Sequence, residues 1–277
     1  RLRREHYDAA IDFRGDIRVM FLFLLLSGAR QRIGFSDLGG EFLLTRARPY
    51  DAGRHFAELN LALAGSLAGR PLPEAGRPFM GGAAGDASRV DTLLAGLGIA
   101  PDERLVAIQP STIPHWRLKR WPPERFAALA DALVRRQGAR ILLVGGPDDR
   151  QALQEVAAAM EENALIAAGK TTLTELGELL KRCRLFVAND TGPMHVAAAA
   201  GAPLVAIFGP TDPGRSGPLG DPDHTRVVRR DVPCRRPCFV AACPRGHECM
   251  AGITLEDVLP ACLELLRGRF AAAAGCR

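Results

Sequence analysis

The sequence contains few lysines and no apolar run long enough to cross a membrane. Only three of its 36 basic residues are lysines, so arginine supplies almost all of the positive charge. One strongly apolar stretch, residues 19–29, has about half of the roughly 20 residues that a membrane-spanning helix needs. Charged residues precede it and no processing site is visible, which argues against a cleaved secretion signal. The stretch therefore predicts a buried helix.

Two glycine motifs lack residues that nucleotide-binding signatures require. The segment AAGKTT, residues 167–172, resembles the end of a P-loop, but Ala164 occupies the position of that motif's first glycine. The segment LLVGGPDD, residues 142–149, lacks the spaced third glycine of a dinucleotide fingerprint. These absences argue against a P-loop NTPase and against an NAD enzyme.

The cysteines lack the paired short spacing of a strong zinc motif. Four of the seven are Cys234, Cys238, Cys243 and Cys249, with His247 between the last two. These residues are sufficient in number to hold zinc, but their spacing includes no short paired knuckle. We therefore expect no bound metal, and reduced structural cysteines of the kind found in cytoplasmic proteins.

The overall composition is that of an ordinary globular protein. Of the 277 residues, 47% are apolar and 24% are charged, a length and a balance that suit two medium-sized domains. A segment rich in proline and glycine, residues 70–88, predicts a division into domains 1–95 and 96–277. The net charge of +5 suits an anionic partner, for which a nucleotide, an acidic glycolipid and nucleic acid are all candidates.

The second domain alternates apolar strands with helical patterns. Continuous apolar strands separated by helices indicate a parallel sheet covered on both faces, so we predict a doubly wound α/β domain. Ligands of such domains bind at the carboxyl ends of the strands. Loops with polar residues follow four of the predicted strands, at residues 109–121, 145–149, 189–193 and 209–218.

The turn NDTGPMH, residues 189–195, has the composition of a helix start. Asp190 or Thr191 can cap the helix, Pro193 suits its first turn, and Gly192 lets a ligand approach the backbone. A helix start attracts phosphate, whereas a carboxylate repels it. Asp190 is therefore expected to contact sugar hydroxyls. A phosphate beside a polyol indicates a nucleotide-sugar.

A neighbouring loop supplies groups that suit the diphosphate of such a ligand. Ser111, Thr112 and Lys119 follow the first strand of the predicted sheet and could neutralise or hydrogen-bond the phosphate oxygens. The alternative for Lys119 is an ordinary surface lysine. Its place beside the predicted helix start favours the binding role.

Several segments together resemble those of the lipopolysaccharide heptosyltransferases, glycosyltransferase family nine. They are the following: IQPST…KRWPPERFAALADAL, LLVGGPDD, AGKTTLTELGELL, VANDTGPMHVAAAAGAPLVAIFGPTDPGRSGP and CRRPCFVAACPRGHECM…ITLEDVL. The resemblance implies a GT-B architecture, in which two Rossmann-like domains face a central cleft. It implies inverting transfer of heptose from ADP-heptose to a lipopolysaccharide core sugar or related glycolipid. It implies no cofactor and no nucleic-acid partner, and a cytoplasmic location with peripheral contact at the inner membrane.

The resemblance also implies roles for individual residues. Lys119, Ser111 and Thr112 would face the diphosphate, and Asp190 the donor sugar. Thr191, Gly192, Pro193 and His195 would form the phosphate-binding turn, and Asp149 or its neighbour Asp148 would contact the ribose. Lys119 and Asp190 are the predicted catalytic residues.

The sequence departs from the family in two places. The loop from Gln109 to Lys119 is longer than in the family, which affects the roles of Ser111 and Thr112. The family's first strand, whose glycine-aspartate turn supplies the general base, has no match. We therefore expect the N-terminal domain to lack this strand and the base to lie before residue 1, with Asp16 as the alternative base. A nucleotide-sugar-binding protein without transferase activity, or a GT-B epimerase or hydrolase, is the alternative function.

Overall fold

The computed structural model describes residues 2–14, 18, 20–112, 114–238, 240 and 243–268. The chain divides into two compact units, one of residues 1–76 with 214–216 and one of residues 77–213 with 217–277. The division thus falls near residue 76 rather than near residue 95. The reason is a helix at Asp86–Gly96 whose Val90 and Leu94 pack in the core of the second unit.

The first unit contains a small parallel sheet covered by one helix. Its strands are β1 (Ala9–Ile11), β2 (Gln31–Phe35) and β3 (Arg46–Arg48), paired in the order β1-β2-β3. Helix α1 (Phe56–Ala68) ends at Gly69, which adopts the left-handed conformation. The core of this unit is Ile33 and Phe35 of β2 packed on Leu59 and Leu63 of α1. Short 3₁₀ helices lie at Leu2–Glu5 and Glu41–Leu43.

The apolar stretch at residues 19–29 forms a π-helix over Met20–Leu25, and it is only partly buried. Leu24 is buried against Leu43, but Phe23 is 55% exposed and Leu26 is 46% exposed. The prediction of a buried helix is therefore right for Leu24 and wrong for Phe23, Leu25 and Leu26. Among the described residues, no helix has the length and apolar character needed to cross a bilayer.

The second unit is built on a six-stranded parallel sheet in the order β6-β5-β4-β7-β8-β9. The strands are β4 (Leu105–Gln109), β5 (Arg140–Gly145), β6 (Ala164–Ala168), β7 (Leu185–Asn189), β8 (Leu204–Phe208) and β9 (Thr225–Arg229). Every residue of β4, β7 and β8 is buried, as expected of central strands covered on both faces. The prediction of a doubly wound α/β fold is confirmed.

Helices cover both faces of this sheet. Those that pack on it are α2 (Asp86–Gly96), α3 (Pro123–Gln137), α4 (Arg150–Ala159), α5 (Leu173–Arg182), α6 (Gly192–Ala200), α8 (Glu248–Ala251) and α9 (Leu255–Arg267). The short helix α7 (Pro213–Ser216) precedes α8 in the sequence, but its residues 214–216 belong to the first unit. Alternate residues of β4 face opposite layers: Val106 and Ile108 join the core with α3, α4 and α9, whereas Leu105 and Ala107 join the core with α2, α5 and α6. This alternation follows from the two-residue period of a strand.

The strand order places the loops with predicted chemistry side by side. From β4 the chain proceeds outward to β5 and β6, then returns to β7 on the other side of β4 and proceeds to β8 and β9. The direction therefore reverses between β4 and β7, which is where doubly wound sheets open a crevice for ligands. The loops after β4 and β7 flank this point, and the loops after β5 and β8 lie next to them.

Candidate functional site

A partly buried ion pair lies where the strand order reverses. Lys119 ends the 3₁₀ helix Pro114–Lys119 after β4, and Asp190 directly follows β7. The ammonium nitrogen of Lys119 lies 2.6 Å from Oδ2 of Asp190. The side chains are 17% and 5% exposed. Lys119 is therefore a partner of the other predicted catalytic residue and is not an ordinary surface lysine.

Thr211, in the loop after β8, contacts the same carboxylate oxygen. Its hydroxyl donates a 2.7 Å hydrogen bond to Oδ2 of Asp190, and Thr211 is only 7% exposed. Oδ2 thus receives donors from both Lys119 and Thr211. Three neighbouring strands contribute one side chain each to this cluster.

Asn189, the last residue of β7, ties together the two ends of the loop that carries Lys119. Its side-chain oxygen accepts a 3.1 Å hydrogen bond from the backbone N–H of Trp121. Its side-chain nitrogen donates a 2.8 Å bond to the carbonyl oxygen of Pro110. Asn189 is fully buried, so both bonds are shielded from water. The carboxamide therefore fixes where the 110–121 loop starts and ends.

A second set of hydrogen-bonded side chains lies next to the start of helix α6. Gln109 is 4% exposed; its side-chain oxygen accepts a 2.7 Å bond from the hydroxyl of Thr191, and its nitrogen donates a 3.0 Å bond to the hydroxyl oxygen of Ser111. Ser111 is fully buried and Thr112 is 4% exposed. Both predicted hydroxyl residues are therefore buried within the loop, and the hydroxyl of Ser111 is already hydrogen-bonded to Gln109.

The start of α6 is open to a ligand. Thr191 occupies the N-cap position, but its side chain makes no capping bond, because its hydroxyl donates to Gln109 instead. A methyl group added at Gly192 would meet no other atom within 4 Å, so space is present beside the first turn. Pro193 follows at the second helical position, and His195 is exposed. Backbone N–H groups at such a start favour an anion.

The loop after β5 uses Asp149 to close its own turn. Oδ2 of Asp149 accepts a 2.8 Å hydrogen bond from the N–H of Gly146, within the short 3₁₀ helix Pro147–Asp149. Asp148 beside it is exposed. The ribose-binding role of Asp149 stays a prediction, and Asp148 is the more accessible carboxylate of the two.

The clustered cysteines lie beneath the loop of Lys119. The side chains of Cys234, Cys238, Cys243 and Cys249 line one small cavity together with Leu118. Burial raises the pKa of the Cys249 thiol, which favours the protonated form. Within the described ranges, no three histidine, cysteine, aspartate or glutamate side chains are arranged to hold a metal ion. Asp16, the alternative base, lies outside the described residues.

The sequence analysis missed three residues of this site: Gln109, Asn189 and Thr211. Each stands at or just beyond the carboxyl end of an apolar strand, and this position is the signal that could have identified them. A polar residue that ends a fully buried strand requires a hydrogen-bond partner. The sequence does not specify which partner.

Comparison with known proteins places this fold among the GT-B glycosyltransferases. The solved structure of ADP-heptose lipopolysaccharide heptosyltransferase II from Escherichia coli matches with a TM-score of 0.73 and 27% identity, over 96% of this chain and 78% of that chain. The model of glycosyltransferase family 9 (heptosyltransferase) matches residues 1–247. The chain therefore belongs to glycosyltransferase family 9.

Curated relatives in this family are similar over shorter segments. Lipooligosaccharide heptosyltransferase 2 of Haemophilus influenzae is 40% identical over 107 residues, which is 37% of this chain and 31% of that protein. Lipopolysaccharide heptosyltransferase 2 of Escherichia coli K12 is 36% identical over 145 residues, which is 51% of this chain and 41% of that protein. The chain thus spans well under half the length of these two relatives.

Proposed function

We propose that the chain is an inverting glycosyltransferase that moves heptose from ADP-heptose to a lipopolysaccharide core sugar. The observation that carries this proposal is the Lys119–Asp190 pair beside the open start of α6, a cation and a carboxylate at the switch point of the sheet. Family membership and the names of the relatives supply the donor and acceptor class. An epimerase, a hydrolase or a non-catalytic binding protein is not favoured by these similarities.

The donor diphosphate binds at the start of α6. Gly192 gives the phosphate oxygens room to approach the backbone N–H groups, and the helix dipole favours their charge. Lys119 supplies a positive charge from the neighbouring loop. Thr191, Pro193 and His195 form the rest of this binding turn, and Ser111 and Thr112 belong to the neighbouring loop after β4.

The donor sugar contacts Asp190. The carboxylate is held in place by Lys119 and Thr211 on Oδ2, so that Oδ1 can accept hydrogen bonds from sugar hydroxyls. Holding an acid beside a diphosphate costs Coulomb energy, and the ammonium of Lys119 offsets this repulsion. The ribose lies toward the loop after β5, near Asp148 and Asp149.

Transfer proceeds as a single displacement. A hydroxyl of the acceptor sugar attacks the anomeric carbon of heptose and loses its proton to a carboxylate base. The bond from the anomeric carbon to the diphosphate breaks on the opposite face, and its electron pair leaves with ADP. Lys119 and the N-terminal N–H groups of α6 stabilise the negative charge that grows on the leaving oxygens.

The acceptor is the lipopolysaccharide core or a related glycolipid. The net charge of +5 supports an anionic glycolipid, and the names of the relatives point to lipopolysaccharide. A location in the cytoplasm with peripheral contact at the inner membrane belongs to this proposal.

Calorimetric titration with ADP, UDP, ADP-heptose and UDP-glucose tests the donor class. ADP-heptose should bind more tightly than UDP-glucose, and at 100 times its dissociation constant it should stabilise the chain by about 2.7 kcal/mol. Equal binding of the two sugars, or none, would contradict the proposal. A second assay adds lipopolysaccharide from a heptose-deficient strain: ADP release that does not depend on this acceptor would indicate a hydrolase.

A further inference from the structure

We infer that Thr211 is a positioning residue for the donor sugar, acting through Asp190. This inference rests on the proposed function, because it takes Asp190 as the group that contacts the sugar. The hydroxyl of Thr211 donates to Oδ2 of Asp190 at 2.7 Å, and the same oxygen faces the ammonium of Lys119 at 2.6 Å. A hydrogen bond to a carboxylate is typically short, as this one is.

The segment that carries Thr211 is itself held by two hydrogen bonds. The N–H of Cys238 donates a 2.8 Å bond to the carbonyl oxygen of Pro210, and the guanidinium of Arg236 donates a 2.8 Å bond to that of Gly209. These two bonds hold the residues immediately before Thr211. The position of the hydroxyl is therefore set by the backbone around it and does not depend on a mobile side chain alone.

This arrangement gives the cysteine-rich segment, which carries Cys234, Cys238, Cys243 and Cys249, a role in holding the site together. The segment supports the loop of Thr211 through Cys238, and its cysteines share a cavity with Leu118, the residue before Lys119. It thus supports both groups that donate to Asp190.

Two donors on one oxygen restrict rotation of the carboxylate. A carboxylate held by Lys119 alone could turn about its terminal bond, or follow the ammonium when a diphosphate attracts it. The bond from Thr211 does not involve a charged donor, so it persists when Lys119 engages phosphate. Oδ1 then keeps one orientation toward the sugar, which is the kind of preorganisation on which tight binding depends.

Thr211→Val tests this role, because valine keeps the shape of threonine and removes the hydroxyl. We expect the affinity for ADP-heptose to fall about tenfold, because a carboxylate that is free to turn must be ordered when the sugar binds, while the affinity for ADP changes less than about twofold. Thr211→Ser restores the hydroxyl and should bind ADP-heptose within about threefold of the unchanged chain. Both affinities are measured by calorimetry, and unfolding in urea is followed in parallel.

The outcomes separate this inference from the proposed function. If the unchanged chain prefers ADP-heptose and Thr211→Val has the same preference, Thr211 has no positioning role. If Thr211→Val loses ADP and ADP-heptose affinity equally, and serine does not restore either, its role is only structural and the inference is wrong. If the unchanged chain does not bind ADP-heptose, the proposed function is wrong, and the inference that rests on it is wrong as well. Thr211→Ala replaces the valine variant if that variant does not fold, with the same expected outcomes.

Discussion

The ammonium nitrogen of Lys119 lies 2.6 Å from Oδ2 of Asp190, although 71 residues separate them along the chain. They meet because β4 and β7 are neighbours in the sheet, and each residue follows one of these strands. The two predicted catalytic residues therefore form one charged unit. A substitution of either one changes the surroundings of the other, so their effects should not be additive.

Lys119→Met should slow heptose transfer by roughly 10²–10³-fold, the usual loss when one preorganised charge stabiliser is removed. It should also lower the free energy of unfolding by about 1–3 kcal/mol, because Asp190 loses its cation while it remains buried. Initial rates and urea unfolding measure the two effects.

Lys181→Met is the matched control for this variant. Lys181 pairs with Glu178 on helix α5, and its side chain is 39% exposed. The same loss of charge should therefore leave both rate and stability nearly unchanged. Equal rates for the two variants would show that Lys119 does not stabilise the leaving group.

Asp190→Asn should preserve ADP affinity and weaken the binding of ADP-heptose. Asparagine keeps the size of the side chain but removes the charge that orders Lys119 and the acceptor capacity of one oxygen. Calorimetry with both ligands measures the difference. Asp131→Asn is a suitable control, since Asp131 is 6% exposed and accepts two backbone bonds remote from the site. A parallel loss of ADP affinity in Asp190→Asn would show that the acid does not act on the sugar.

The sequence predicted the sheet of the second unit well because its signal is local. Strands such as β4 and β8 are uninterrupted apolar runs, and their flanking glycines and prolines mark the ends. Strand β9 is an edge strand with partly exposed residues, so its apolar pattern was too weak to identify. Helix α2 was missed because the loop-like residues before it obscured its start.

The contacts of the site could not be predicted in the same way. Nothing in the local pattern states that β7 returns to the far side of β4, and the Lys119–Asp190 pair depends on that order. The exposure of Phe23 has a similar cause, because the burial of an apolar side chain depends on which elements pack against it. The sequence shows which polar residues lie at the ends of strands, but it does not show which side chains they contact.

Gly192→Ala should lower the affinity for ADP without lowering the stability of the chain. The added methyl group meets no atom within 4 Å, so the chain should be as stable as before or gain about 0.4–1 kcal/mol from a less flexible unfolded state. If the diphosphate approaches this backbone closely, the methyl group should lower ADP affinity at least about tenfold, which is about 1.4 kcal/mol.

Gly96→Ala is the control for this prediction. Gly96 also lies in a helix, at the end of α2, with no atom within 4 Å of an added methyl group. It should keep full ADP affinity. Unchanged affinity in Gly192→Ala would mean that the phosphate does not bind at the start of α6.

Asn189→Ala should loosen the loop that carries Lys119. Both ends of the loop lose their bond to the carboxamide, and two buried backbone groups are left without it, so the free energy of unfolding should fall by about 1–3 kcal/mol or more. The amide proton of Trp121 should exchange faster with solvent, and transfer should slow. Asn163→Ala, at an exposed position before β6, should show neither effect. Unchanged exchange at Trp121 would show that Asn189 does not hold the ends of this loop.

The clustered cysteines should be dispensable for chemistry. The double variant Cys238→Ser, Cys243→Ser makes two small, partly buried thiols polar, which should lower stability modestly. The bond that supports the Thr211 segment comes from the backbone N–H of Cys238 and survives the change, so the affinity for ADP-heptose should stay within about threefold. Elemental analysis and calorimetry before and after substitution check both points. Stoichiometric zinc or iron in the unchanged chain, lost together with donor binding in the double variant, would show instead that a metal holds this segment beneath the site.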